Sequence, residues 1–87
     1  MNSEEINIQL KSYIKQINNA KFCNFKLLIV INLLDFLIKE KEWLNSNDTM
    51  KNTLIRKIDE FTIVLNEDKK KYHSNLINMF YTKSKNF

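Results

Sequence analysis

Few residues in this chain have the types and spacing that chemistry needs. Cys23 and His73 are its one cysteine and its one histidine, fifty positions apart. A cysteine–histidine nucleophile needs the two side chains adjacent in space, with an orienting group and an oxyanion donor, and no motif here brings them together. Structural zinc usually takes four ligands, which two such residues do not supply. The plainer reading makes Cys23 a small buried apolar residue and His73 a half-exposed one on a helix. Asp35 lies within an apolar run, where desolvation would raise its pKa and suit it to acid–base work. Its spacing to Lys39 instead suggests an i, i+4 pair on a solvent-facing stripe. The single arginine, Arg56, cannot build the multi-guanidinium clamp that anionic small substrates call for. The expectation is therefore a non-enzymatic protein with no catalytic residue, no metal ligand, no cofactor and no small-molecule substrate.

The strongest surface feature is Lys69-Lys70-Lys71. With Tyr72, Tyr81, Lys83, Lys85 and Phe87 close in sequence, it suits phosphates of nucleic acid or an anionic membrane surface. Residues 67–87 carry five lysines against Glu67 and Asp68, whereas residues 1–20 and 45–66 are each neutral. The positive field thus sits at the C-terminal end. The alternative is a solvated lysine face, since three consecutive helical residues point in different directions. A/T-rich codons alone would also enrich Lys, Asn and Ile. Base readout, moreover, normally recruits arginine.

The elements that must position these residues follow from a second property: among 87 residues there is no glycine and no proline. Without glycine a phosphate-cradling loop of the Walker or dinucleotide type cannot be built. Tight hairpins lose their best turn residues, whereas helices joined by short polar turns lose nothing. Hydrophobic content of 44% and charged content of 28% read as globular. One cysteine excludes an intrachain disulfide and fits a reducing, cytoplasmic setting. The opening Asn2-Ser3-Glu4-Glu5 has neither the basic region nor the apolar stretch of a secretory signal.

Ile6, Leu10, Tyr13, Ile14 and Ile17 repeat at helical spacing and predict an amphipathic helix, capped by Asn2 or Ser3, with Asn18-Asn19 as its stop. Asn2 with Glu5 has capping-box spacing. From Phe22 to Ile38 nearly every residue is apolar. Asn32, Asp35, Lys39 and Glu42 form one narrow polar stripe on a helix expected to run to Trp43 or Leu44. A helix so apolar needs neighbours on more than one side, which makes it the centre of a bundle. The run is shorter than the about 20 residues of a membrane span. It also holds Lys26 and Asp35, each costing roughly 2.5–3.5 kcal/mol near a bilayer centre.

Asn45-Ser46-Asn47-Asp48-Thr49 predicts a turn, with Asp48 as the next N-cap. Met50, Leu54, Ile58, Phe61 and Leu65 form the third stripe, widened by Ile55 and Val64. At Asn66-Glu67-Asp68 the chain either continues as one long helix or breaks. The break is preferred because a buried Asp68 left unpaired would be costly. A final segment carries Tyr72, Leu76, Ile77, Met79 and Phe80, ahead of a polar tail at 84–87.

The pattern from Lys26 to Lys83 resembles the cytoplasmic immunity proteins of pediocin-like bacteriocins. It has an apolar helix, a polar loop, a Leu54–Ile58–Phe61 helix, a charged turn, and Leu76-Ile77 leading into Phe80-Tyr81. Those proteins are small, basic four-helix bundles, and the resemblance implies action by contact through the last helix and tail. From the residues themselves the reading is an all-α, small antiparallel bundle of three or four helices, with residues 1–83 as one domain. Its expected mode is protein–protein interaction, as an inhibitor, immunity-type factor or assembly subunit. A helix face, or an apolar groove beside the second helix, would receive a partner helix or a second copy. Phe22, Phe25, Trp43, Phe80 and Tyr81 are the candidate anchors, because aromatics dominate interface energetics. Tyr72, Lys69, Lys70, Lys71, Lys83 and Lys85 complete the candidate interaction set.

Overall fold

The computed structural model describes residues 2–87. Five α-helices account for most of the chain: α1 (Ser3–Asn19), α2 (Cys23–Lys39), α3 (Lys41–Asn45), α4 (Asp48–Glu67) and α5 (Ser74–Lys85). A 3-10 turn, Lys69–Lys71, joins the last two, and no strand occurs among the described residues. The molecule measures 39 × 25 × 19 Å, so it is about two helix diameters thick. Consecutive long helices run antiparallel. Tyr13 of α1 meets Phe36 of α2 at 5.6 Å between ring centroids, and Phe61 of α4 meets Phe80 of α5 at the same distance. α2 and α5 run parallel, since Asn24 reaches the segment just before α5 while Asp35 reaches Lys83.

α2 is the hub. Leu27, Ile29, Val30, Ile31, Leu33, Leu34 and Leu37 are all buried, more than on any other helix. Ile6 and Leu10 of α1, Leu44 of α3, Leu54, Ile58 and Leu65 of α4, and Phe80 of α5 close around it in one apolar cluster. Fully burying one such side chain is worth about 1.5–3 kcal/mol. α1 and α5 pack on α2 most extensively.

The helix ends differ from the sequence expectation in instructive ways. At the first, Asn2 accepts the Glu5 N–H at 2.9 Å and returns a side-chain bond to the Glu5 carboxylate, so the predicted cap holds. α1 does stop at Asn19, but Ala20 leaves it in an extended conformation. No described residue adopts positive φ, so none of them requires the glycine that the chain lacks. α2 ends at Lys39, short of Trp43. Glu40 departs from helical geometry, yet its N–H still bonds Phe36 and its carbonyl accepts from Leu44, which makes the break a kink between α2 and α3. Asp48 is not the N-cap of α4. Asn47 holds that position, with its side chain donating to the Trp43 carbonyl at 3.0 Å.

The preferred break at 66–68 is present, but its parts are used differently. Glu67 ends α4, Asp68 turns the chain with φ −129° and ψ 39°, and His73 precedes α5 in extended geometry. Asn66 caps neither helix and accepts the Tyr81 hydroxyl instead. Asp68 is exposed, so no carboxylate is buried at the junction.

Candidate functional site

α1 and α4 do not close over α2. Between them lies an apolar groove of about 220 Å³. Val30 and Leu33 of α2 form its floor with Leu54 and Ile58, and Ile14, Ile17, Phe61 and Val64 form its walls. Asn18, Lys57 and Glu60 supply a polar rim. The helical repeats explain the lining. Ile14 and Ile17 sit at the edge of the α1 stripe facing α2, and Val64 sits at the edge of the α4 stripe, where Ile63 and Val64 are both left exposed. At this size the groove falls below the roughly 300–1,000 Å³ of small-molecule sites, and suits individual side chains better than a whole ligand.

A second feature lies at the end of the bundle where α2 starts. Phe22 is 76% exposed, Phe25 56% and Leu28 40%. Phe25, Leu28, Asn32, Asp35 and Lys39 fall on one stripe of α2, apolar at its beginning and polar at its end. Against this end packs the 3-10 turn. Asn24 donates to the Lys71 carbonyl at 3.4 Å and accepts the His73 N–H at 2.8 Å. Tyr72, held there, has its hydroxyl pushed above the ordinary value, chiefly by burial, with Cys23 and Asp68 adding to the effect.

The candidate residues separate into distinct places. Phe80 is wholly buried and cannot serve as an interface anchor, because it fills the centre of the core between Phe61 and Tyr81. Trp43 sits at the far end, half-buried, with Nε1 donating to Ser3 Oγ at 3.0 Å. Tyr81 is half-buried, bonded to Asn66, with Lys69 Nζ 5.8 Å from its ring centroid. Lys70 and Lys85 are exposed, Lys71 pairs with Asp68 at 3.4 Å, and Lys83 pairs with Asp35. Trp43 is thus separated from the Lys69–Tyr72 turn by the length of the bundle.

Asp35 is exposed as the polar stripe requires, but its partner is Lys83 rather than Lys39. The reason is tertiary: α5 runs parallel beside α2 and brings Lys83 alongside. Cys23 is exposed rather than buried, because the residues that start α2 cap the bundle end instead of entering its core. Among the described residues no three His, Cys, Asp or Glu side chains gather in a group able to hold a metal, and no helix is long and apolar enough to cross a membrane. The groove was foreseeable only as a location beside the second helix. The wide apolar stripes ending in Ile14, Ile17 and Val64 were its signal, but periodicity does not say which edge a neighbour leaves uncovered. Comparison with protein-family models, with curated proteins and with solved structures finds no match to this chain.

Proposed function

We propose that this protein is a non-enzymatic binding protein that receives an apolar helix of a partner protein in the groove between α1 and α4. The observation that carries this reading is the groove itself, with its unbroken apolar lining from Ile14 and Ile17 across Val30 and Leu33 to Phe61 and Val64. A helix laid along two flanking helices presents anchors at i, i+3 or i+4 and i+7, which a trench of this kind accepts one side chain at a time. Lys57 and Glu60, of opposite sign, give the polar rim that fixes orientation without dominating affinity. Inhibitors, immunity-type factors and assembly subunits all act by such contact. The likeness to pediocin-type immunity proteins supports that choice at the level of sequence pattern. An exposed free thiol at Cys23 favours a reducing compartment and hence a cytoplasmic protein.

The test is capture of partners from native cells with the wild-type chain and with Val64→Glu. Methyl NMR of Ile14, Ile17 and Val64 follows, on adding the recovered partner's helical segment. A stoichiometric protein lost with Val64→Glu, with shifts confined to those methyls, supports the reading. A partner whose binding leaves the groove methyls unmoved defeats it. So does a dimer of this chain that Val64→Glu dissolves.

A further inference from the structure

The exposed apolar end of α2 adjoins the groove along the last turns of α1, but shares none of its lining residues and differs from its rim in charge. Phe22, Phe25 and Leu28 stand in solvent there, and Met79 is exposed on α5 one turn before Lys83, on the flank that borders the α2 stripe. Lysines surround this patch on two sides. Lys15 of α1 lies beside Phe25, together with Gln16, Asn19 and Ala20. Lys21 directly precedes Phe22. Across the stripe, the Asn24 bonds fix Lys70 and Lys71 in the adjoining turn.

The acids here are few. Asp68 is engaged with Lys71, and Asp35 with Lys83. Among the described residues Lys15, Lys21 and Lys70 have no carboxylate within ion-pair distance. The basic field thus has contributions from α1 and the α1–α2 link as well as from the lysine run.

We propose that this end of the bundle docks on an anionic phospholipid bilayer, with Phe22 and Phe25 entering the headgroup layer and Lys15, Lys21 and Lys70 meeting the lipid phosphates. Charge complementarity selects this occupant. Interfacial binding combines a modest inserted apolar area with point-charge attraction, and neither alone holds a protein to a membrane. A protein partner is less suited to the patch, since lysine is depleted from protein interfaces. Nucleic acid is less suited too: Phe22 and Phe25 offer rings to bases, but Leu28 and Met79 between the lysines do not, and base and phosphate recognition normally recruits arginine, of which the chain has one. The inference rests on residues outside the groove lining, and Val64→Glu replaces none of them.

The experiment is vesicle flotation with the full chain carrying an environment-sensitive dye on Cys23, the only cysteine and an exposed one. Vesicles are phosphatidylcholine with and without phosphatidylglycerol. The expected result is binding to the anionic vesicles alone, lost as salt rises. The dye should shift blue while Trp43, at the other end, keeps its emission. Phe22→Ser with Phe25→Ser, and separately Lys15→Gln with Lys21→Gln, should each weaken binding at least tenfold. All four side chains are exposed, so circular dichroism of the variants should match wild type.

No flotation with anionic vesicles overturns the proposal, as does flotation that survives loss of both phenylalanines. A shift of Trp43 in place of the dye overturns the orientation and with it the site. A dimer dissolved by Phe25→Ser assigns the patch to a second copy. Tighter binding to single-stranded DNA than to vesicles at equal salt assigns it to nucleic acid. Either of these last two results replaces the lipid reading.

Discussion

Asn24 accepts the backbone N–H of His73 at 2.8 Å, and the same side chain donates to the Lys71 carbonyl. One carboxamide at the start of α2 thereby holds both sides of the turn that leads into α5. The bonds join residues 47 and 49 positions apart. They also set the register in which α5 runs beside α2, which in turn delivers Lys83 to Asp35.

Asn24→Ala should therefore loosen the turn more than an ordinary surface change. Leaving the His73 N–H and the Lys71 carbonyl without their partner is expected to cost about 1–2 kcal/mol in urea unfolding. Hydrogen exchange should quicken at residues 71–76 and stay unchanged at the α1 amides. Uniform quickening across all helices would indicate that the turn has no separate stability.

Phe80→Ala should be the most damaging single truncation in α5. The ring is fully buried and packs edge-on against both Phe61 and Tyr81. A loss of about 3–5 kcal/mol is expected, enough to unfold much of a chain this small. Tyr81→Phe, which keeps the ring and removes only the hydroxyl bonded to Asn66, should cost about 1 kcal/mol or less. Equal losses from the two would contradict the assignment of Phe80 to the core.

Asp35→Asn tests the opposite expectation. The Asp35–Lys83 pair bridges two helices, but the Asp35 side chain remains about half exposed. Solvent screening should hold the effect to about 0.2–1 kcal/mol, and that small difference should shrink further in high salt. A loss of several kcal/mol would mean that the pair is shielded far more than its exposure indicates.

Tyr72 predicts a pH dependence at the alkaline side. Burial, with Cys23 and Asp68 nearby, holds its hydroxyl above the ordinary value of 10.0, so the folded state keeps that proton more tightly than the unfolded chain does. The associated stability is fully present below the unfolded pKa and is lost as pH rises through the folded one. Wild type should lose more stability between about pH 9 and about pH 11 than Tyr72→Phe does. Parallel losses in both proteins would remove Tyr72 as the source.

Much of the architecture was legible in the residues. The stripes Ile6–Leu10–Tyr13–Ile17 and Leu54–Ile58–Phe61–Leu65, and the near-continuous apolar run of α2, identify the helices and their inward faces because side-chain period is a local property of the backbone. The break near Asp68 was legible for the same reason: a carboxylate in a stripe's phase is costly unless the helix ends there. Helix-end details were less so. Asp48 and Asn47 are both good caps, and only the Trp43 carbonyl settled how Asn47 is used.

The sequence by itself determined that the chain is helical, that α2 is the hub and that one end is basic, since composition and spacing act within a few residues. Tertiary structure alone decided that Phe80 is core while Phe22 and Phe25 are surface, that Asp35 pairs with Lys83, and that a groove stays open between α1 and α4. Each of these depends on which helix lies against which, over separations where loop closure and side-chain packing, rather than local propensity, set the outcome.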